Sequence, residues 1–267
     1  MFNFISLASG SSGNCYYLYT ERTGVLLDLG IGLRNLRKSF KEYGLSFSNI
    51  HYILVTHDHA DHIKSVGSLS EKMDIPVYAT RLVHSGIDKN YCVKHKVGHE
   101  KRRFVETNVP FQLGDLSVTA FKVPHDSSEN VGYMIRHNDT VFCLLTDVGH
   151  QTEEMQTVIQ EADYLVIEAN YDEHMLENGP YPAYLKARIK SGNGHLCNDV
   201  CAKMIAEWKS ERLKRVWLCH ISEENNTPAL ALSAVVNRLN EGLEYERHIP
   251  QVEVLKRRSP MGIYELE

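Results

Sequence analysis

The chain has 267 residues, 43% apolar and 24% charged, which suits a globular fold with a large core and argues against disorder. A formal net charge of −5 excludes a polycationic molecule, so any contact with nucleic acid would rest on local basic patches. Six scattered cysteines form no C-x-x-C pair, and the N-terminal MFNFISLASG lacks the basic and long apolar regions of a secretion signal; a reduced, cytoplasmic setting without membrane association is expected.

In chain order, FNFISL (2–7), NCYYLYT (14–20) and GVLLDLG (24–30) read as short strands bounded by Gly or polar turns. Residues 32–43 carry apolar positions at helical spacing among basic ones. HYILVT (51–56) is a buried-strand candidate, followed by a helix over 60–73, a strand at PVYA (76–79) and another short helix. Residues 94–103 form a basic surface stretch. Strands follow at 116–123, 131–137 and 140–147, the last two joined by a short His-Asn-Asp turn. Helix and strand then alternate: helix near 152–161, strand 164–169, helices within 172–206, strand 215–220, helix 228–240 and a final strand near 251–255. The pattern predicts an α/β protein of two sheets packed face to face with helices outside, a four-layer αβ/βα sandwich. No linker or low-complexity tract interrupts it, so one domain over 1–267 is expected.

The strand at 51–56 runs directly into His57, His59, Asp61 and His62. Imidazole nitrogen and carboxylate oxygen suit zinc, manganese or iron. Alternate positions beyond a strand end can converge on one ion, and His62 can turn towards a second ion about 3.5–4 Å away. Further polar residues follow apolar runs at His125, Asp147 and His220.

These residues resemble the metallo-β-lactamase superfamily over nearly the whole chain. The resemblance implies two divalent metal ions, the first held by His57, His59 and His125 and the second by Asp61, His62 and His220. Asp147 would bridge both, and Asp28 in LLDLG would support the loop by hydrogen bonds. Within the superfamily, SGSSGN (9–14), EANYD (168–172), GPYP (179–182), GHLCN (194–198) and CHISEENN (219–226) resemble the YycJ/WalJ-like subgroup. The chain departs from it at Tyr171 and Cys197, where His and Ser are expected. Glyoxalase-type thioesterases fit less well, since no Gly-Gly follows the cluster, and residues 148–219 are too few for an inserted cap domain.

The subgroup resemblance implies a phosphodiesterase acting on DNA, with a 5′-to-3′ exonuclease activity on duplexes. Asp61 would orient the metal-activated hydroxide. His195, paired with Glu168, would protonate the leaving oxygen. Substrate contacts are expected from Ser11, Ser12 and Asn14 in the Gly-rich turn and from Asn198. Basic stretches at 34–38, 94–103 and 186–190 could follow the DNA backbone. The residues leave open a small-molecule ester, thioester or lactone hydrolase, an RNA-processing endonuclease, or a non-catalytic nucleic-acid-binding protein.

Overall fold

The computed structural model describes residues 1–241 and 248–266. The first strands are apolar runs buried at nearly every position: β1 (Phe2–Ala8), β2 (Cys15–Tyr19) and β3 (Gly24–Leu27). Then come α1 (Leu33–Glu42), β4 (Tyr52–Leu54), the single turn α2 (Ala60–Ile63), α3 (Val66–Met73), β5 (Val77–Ala79), α4 (Arg81–Lys89) and β6 (Arg102–Phe104). The next stretch runs β7 (Phe111–Leu113), β8 (Leu116–Lys122), β9 (Val131–His137), β10 (Thr140–Leu145), α5 (Glu153–Glu161) and β11 (Tyr164–Glu168). It continues through α6 (Glu173–Asn178), α7 (Ala183–Ile189), α8 (Asn198–Trp208), β12 (Arg215–Cys219), α9 (Pro228–Asn240), β13 (Gln251–Val254) and β14 (Met261–Leu266).

The strands form two seven-stranded sheets, ordered β14-β1-β2-β3-β4-β5-β6 and β13-β12-β11-β10-β9-β8-β7. Each sheet is antiparallel at one side and parallel at the other, from β3 to β6 and from β10 to β13. Parallel neighbours need long crossovers, which the helices supply, and a strand covered on both faces reads as an unbroken apolar run. Between the sheets, Phe4, Leu18 and Leu27 meet Val118, Phe142 and Trp217. Outside them, Leu36, Leu69 and Val83 pack on the first sheet, and Met155, Ile205 and Val235 on the second. The result is the expected four-layer αβ/βα sandwich. Among the described residues, no helix is long and apolar enough to cross a membrane.

Three features differ from the sequence reading. The helix expected over 60–73 is broken between Ile63 and Val66, because the Ser65 N–H bonds to the Leu29 carbonyl and the His62 carbonyl accepts from the Leu29 N–H. Tertiary pairing with the loop after β3 thus displaces the helical ladder. The strand at 251–254 is not the last: β14 follows and pairs antiparallel with β1. Short edge strands β6 and β7 also escape the pattern, and β6 lies at the end of the basic stretch 94–103, within which Val97 is buried.

Parallel strands in such sheets offer their carboxyl ends as binding edges. The loops after β3, β4, β10, β11 and β12 emerge there, and they carry Asp28, His57, Asp147, Asn170 and His220.

Candidate metal centre

Asp28, Asp147 and His220 each end a strand in the left-handed backbone region, with φ of 58°, 55° and 52°. Each such non-glycine residue costs about 1–3 kcal/mol, a cost that persists where surrounding structure holds it. Here the strained residues aim their side chains into one buried cluster. Asp28 is fully buried and binds three groups of the His-rich loop. Its Oδ1 accepts the Thr56 N–H at 2.8 Å, and its Oδ2 accepts the Thr56 hydroxyl at 2.8 Å and lies 2.7 Å from His62 Nδ1.

Donor atoms gather in overlapping sets within 4.8 Å: His57, His59 and His125; His57, His62 and Asp147; Asp61, His62 and His220; and Asp147, Glu168, His195 and His220. Hydrogen bonds orient most of the rings. His125 Nδ1 meets the Gly194 carbonyl at 2.8 Å, which leaves Nε2 facing His59 Nδ1 at 3.3 Å. His59 Nε2 meets the Asp126 carbonyl at 3.2 Å, which frees its Nδ1. His220 Nδ1 lies 2.9 Å from Glu168 Oε1 and its Nε2 lies 3.4 Å from Asp61 Oδ2. His62 Nε2 lies 3.2 Å from Asp147 Oδ2. In each ring one nitrogen is thus spent on an orienting partner, and the other can offer a lone pair, as metal-ligating histidines do. His57 Nδ1 lies 3.0 Å from the Thr56 hydroxyl, and its Nε2 is buried with no hydrogen-bond partner among the described residues. A buried polar atom left unpaired is costly unless something else coordinates it.

Charge tells the same story. Burial opposes ionisation of His62, yet Asp147, Asp28 and Asp61 outweigh it and hold its pKa well above the ordinary histidine value. Burial likewise opposes charging of His220, but Asp147, Asp61 and Glu168 push it up to about 10. His57 goes the other way, lowered by burial and by the neighbouring His62. The buried carboxylates therefore favour positive charge in the pocket, which divalent ions held by the imidazole nitrogens would supply in place of protons.

Beside the cluster, Glu168 is fully buried at the end of β11. Its Oε1 lies 2.8 Å from His195 Nδ1, and its Oε2 accepts the Val148 and Leu196 N–H groups at 2.8 and 3.0 Å. Burial opposes charging of His195, but the Glu168 carboxylate raises its pKa above the usual value. His195 is only partly buried, so its imidazole stands at the rim of the cluster beside the Glu168 carboxylate.

The profile of the beta-lactamase superfamily domain matches residues 23–221. A protein named exodeoxyribonuclease YycJ, from Bacillus anthracis, is 35% identical over 242 residues, 90% of this chain and 89% of that relative. Exodeoxyribonuclease WalJ of Streptococcus pneumoniae is 34% identical over 238 residues, 89% of this chain and 88% of the relative. The chain belongs to the beta-lactamase superfamily. Among solved structures, Zn²⁺-bound PqqB from Methylobacterium extorquens matches with a TM-score of 0.73 at 18% identity, covering 98% of this chain and 100% of that one.

The superfamily's fold and the His/Asp cluster together imply divalent metal ions. Every sequence-predicted ligand position lies in the cluster. The expected substrate residues divide. Ser11 and Ser12 are exposed at the tip of the turn. Asn14 faces inward: its Oδ1 accepts the Gly10 N–H at 2.8 Å, and its Nδ2 lies 3.2 Å from Asp61 Oδ2 and 2.9 Å from His62 Nε2. It therefore ties the turn to the cluster from inside. Asn198 is also buried, both ends of its amide spent on Asn226 at 3.0 and 2.8 Å, which takes it away from the substrate face. Tyr171 and Cys197, the two departures from the subgroup, pair with each other in an isolated parallel bridge.

Sequence reasoning passes over Thr56, Asn170 and Asp126. Asn170 donates to the His220 carbonyl at 2.8 Å. Asp126 Oδ2 accepts from Arg188 Nε at 2.5 Å, and its buried Oδ1 lies 3.4 Å from His125 Nε2. For Asp126 the available signal was its place directly after His125, and for Asn170 its place within EANYD (168–172).

Proposed function

We propose that the chain is a phosphodiesterase that degrades DNA with two divalent ions, zinc or manganese with iron as a third candidate, in a single domain spanning 1–267 without an inserted cap. His57, His59 and His125 would hold one ion, Asp61, His62 and His220 the other, with Asp147 serving both. When bound, the ions supply an activated water and neutralise phosphate charge. The chain's own groups do the rest. Asp28 fixes the His62 ring, Asp61 orients the attacking oxygen, and Glu168 holds the His195 ring at the rim, where it can donate to the departing sugar oxygen. Six unpaired cysteines, one of them exposed, suit a reducing, cytoplasmic setting.

The observation that carries this reading is the His195–Glu168 pair beside the oriented imidazoles, because a poor alkoxide leaving group needs a proton donor as well as charge neutralisation. The exodeoxyribonuclease names of the two relatives support DNA as the substrate and an exonuclease mode. The test is digestion of end-labelled DNA and RNA by metal-stripped protein resupplied with Mn²⁺, Zn²⁺ or Mg²⁺. Stepwise shortening of DNA from its 5′ end is expected. Hydrolysis of lactones or thioesters with intact DNA would overturn the reading.

A further inference from the structure

A cavity of about 190 Å³ is lined by the Gly-rich turn whose Asn14 reaches Asp61 and His62, and none of the potential ligands lines it. Its walls come from three distant parts of the chain. Ser12 and Gly13 belong to the Gly-rich turn, Asn35 to the first turn of α1, and Arg257 and Arg258 to the connection between β13 and β14.

The chemistry of these walls is that of an anion site. The N–H groups of Ser11 and Ser12 have no acceptor among the described residues, and both residues are exposed. Helix α1 follows Gly32, which offers no side-chain cap, has no acid in its first turn, and presents Asn35 and Ser39 to the cavity. Arg257 is held rigidly, its Nε and Nη2 donating to the Ile221 and Ser222 carbonyls at 3.0 and 2.9 Å. Those carbonyls directly follow His220, and the Ser9 hydroxyl accepts the His220 N–H at 3.0 Å, so both walls are tied to the metal cluster. Arg258 is mostly exposed and pairs at 2.6 Å with the half-exposed Glu223. An exposed pair of this kind contributes little and gives way easily to a stronger anion.

We propose that this cavity binds a phosphate of the nucleic-acid strand other than the one being hydrolysed, with Arg258 as its main cation and Ser12 and Asn35 as hydrogen-bond donors. The proposal rests on the phosphodiesterase reading above. Bound there, a neighbouring phosphate would set how far the strand advances past His220 and would displace Glu223 from Arg258.

The test compares full-length, metal-loaded wild type, Arg258→Ala and Glu223→Gln on DNA and on bis(p-nitrophenyl) phosphate, which has no second phosphate. Arg258→Ala should raise KM for DNA about tenfold and flatten its salt dependence by about one ion, with hydrolysis of the small diester unchanged. Glu223→Gln should lower KM for DNA, and inorganic sulfate should compete with DNA in wild type but weakly in Arg258→Ala. Unchanged KM for DNA in both variants, with the small diester still hydrolysed, would overturn the proposal and leave the phosphodiesterase reading standing. If wild type cleaves no DNA, that reading fails separately, and fluorescence anisotropy of a labelled oligonucleotide in chelator decides the cavity: weaker binding by Arg258→Ala supports it, and equal binding overturns it.

Discussion

Asp28, Asp147 and His220 carry the local strain of the site, and Gly30 carries its tightest backbone approach. A Cβ at Gly30 would lie 1.6 Å from the Asp61 carbonyl oxygen, the same oxygen that accepts the Asn14 N–H. Gly30→Ala should therefore push Asp61 off its position and reduce the metal content of folded protein, read by elemental analysis; full loading would show that the loop absorbs the methyl group. At Asp147 the backbone itself can be tested. Asp147→Gly and Asp147→Ala both remove the carboxylate, but only glycine accepts a φ of 55° freely. The glycine variant should be the more stable by about 1 kcal/mol in urea unfolding of metal-free protein; equal stability would show that no strain is held there. His195→Ala should lower kcat on DNA by about 10²–10⁴-fold while metal content stays unchanged. Wild-type turnover in that variant would remove the proton-donor role.

Trp217 on β12 joins three elements: its ring centroid lies 4.7 Å from that of Phe4 on β1 and 4.9 Å from that of Tyr264 on β14. It is fully buried between the sheets. Trp217→Ala should cost about 3–5 kcal/mol by chemical denaturation, and a loss below about 1 kcal/mol would contradict this packing. The strands that could be read from the sequence are those covered on both faces, such as β4, β10 and β12, because their burial forces unbroken apolar runs. Strand β14 could not, since it is a half-exposed edge behind the polar KRRSP connection. The same local polarity hid Arg257 and Arg258, whose neighbours are set by the return of the chain to β1. The break in the helix over 60–73 was hidden too, because its cause is a partner in the loop after β3. The residues of the His/Asp cluster were legible because each is a His or Asp at the end of an apolar run or inside the dense loop after β4. Asn14 and Asn198 misled because a turn sequence does not reveal which way an amide faces.

At the scale of the molecule, the fold opens the carboxyl ends of two parallel half-sheets onto one edge, and the cluster bridges them: Asp61 and His62 come from the first sheet's loops, Asp147 and His220 from the second's. The packed layers also hide thiols, Cys219 between the sheets, Cys15 outside the first and Cys143 and Cys201 outside the second. Cys15, Cys143, Cys201 and Cys219 are buried, Cys197 is half-buried and Cys92 is exposed. Burial pushes the thiol pKa of each of the four buried cysteines above the ordinary value. Titration with a thiol reagent should show Cys92 reacting at once and these four only on unfolding; fast labelling of more than two thiols in native protein would contradict the packing. On the proposed function, the bridge between the two sheets works through bound divalent ions. Its most direct test is a titration of chelator-stripped protein with Mn²⁺, following hydrolysis of end-labelled DNA. No cleavage is expected without metal, with a rise that saturates at two equivalents. Cleavage by the stripped protein, or saturation at one equivalent, would contradict this reading.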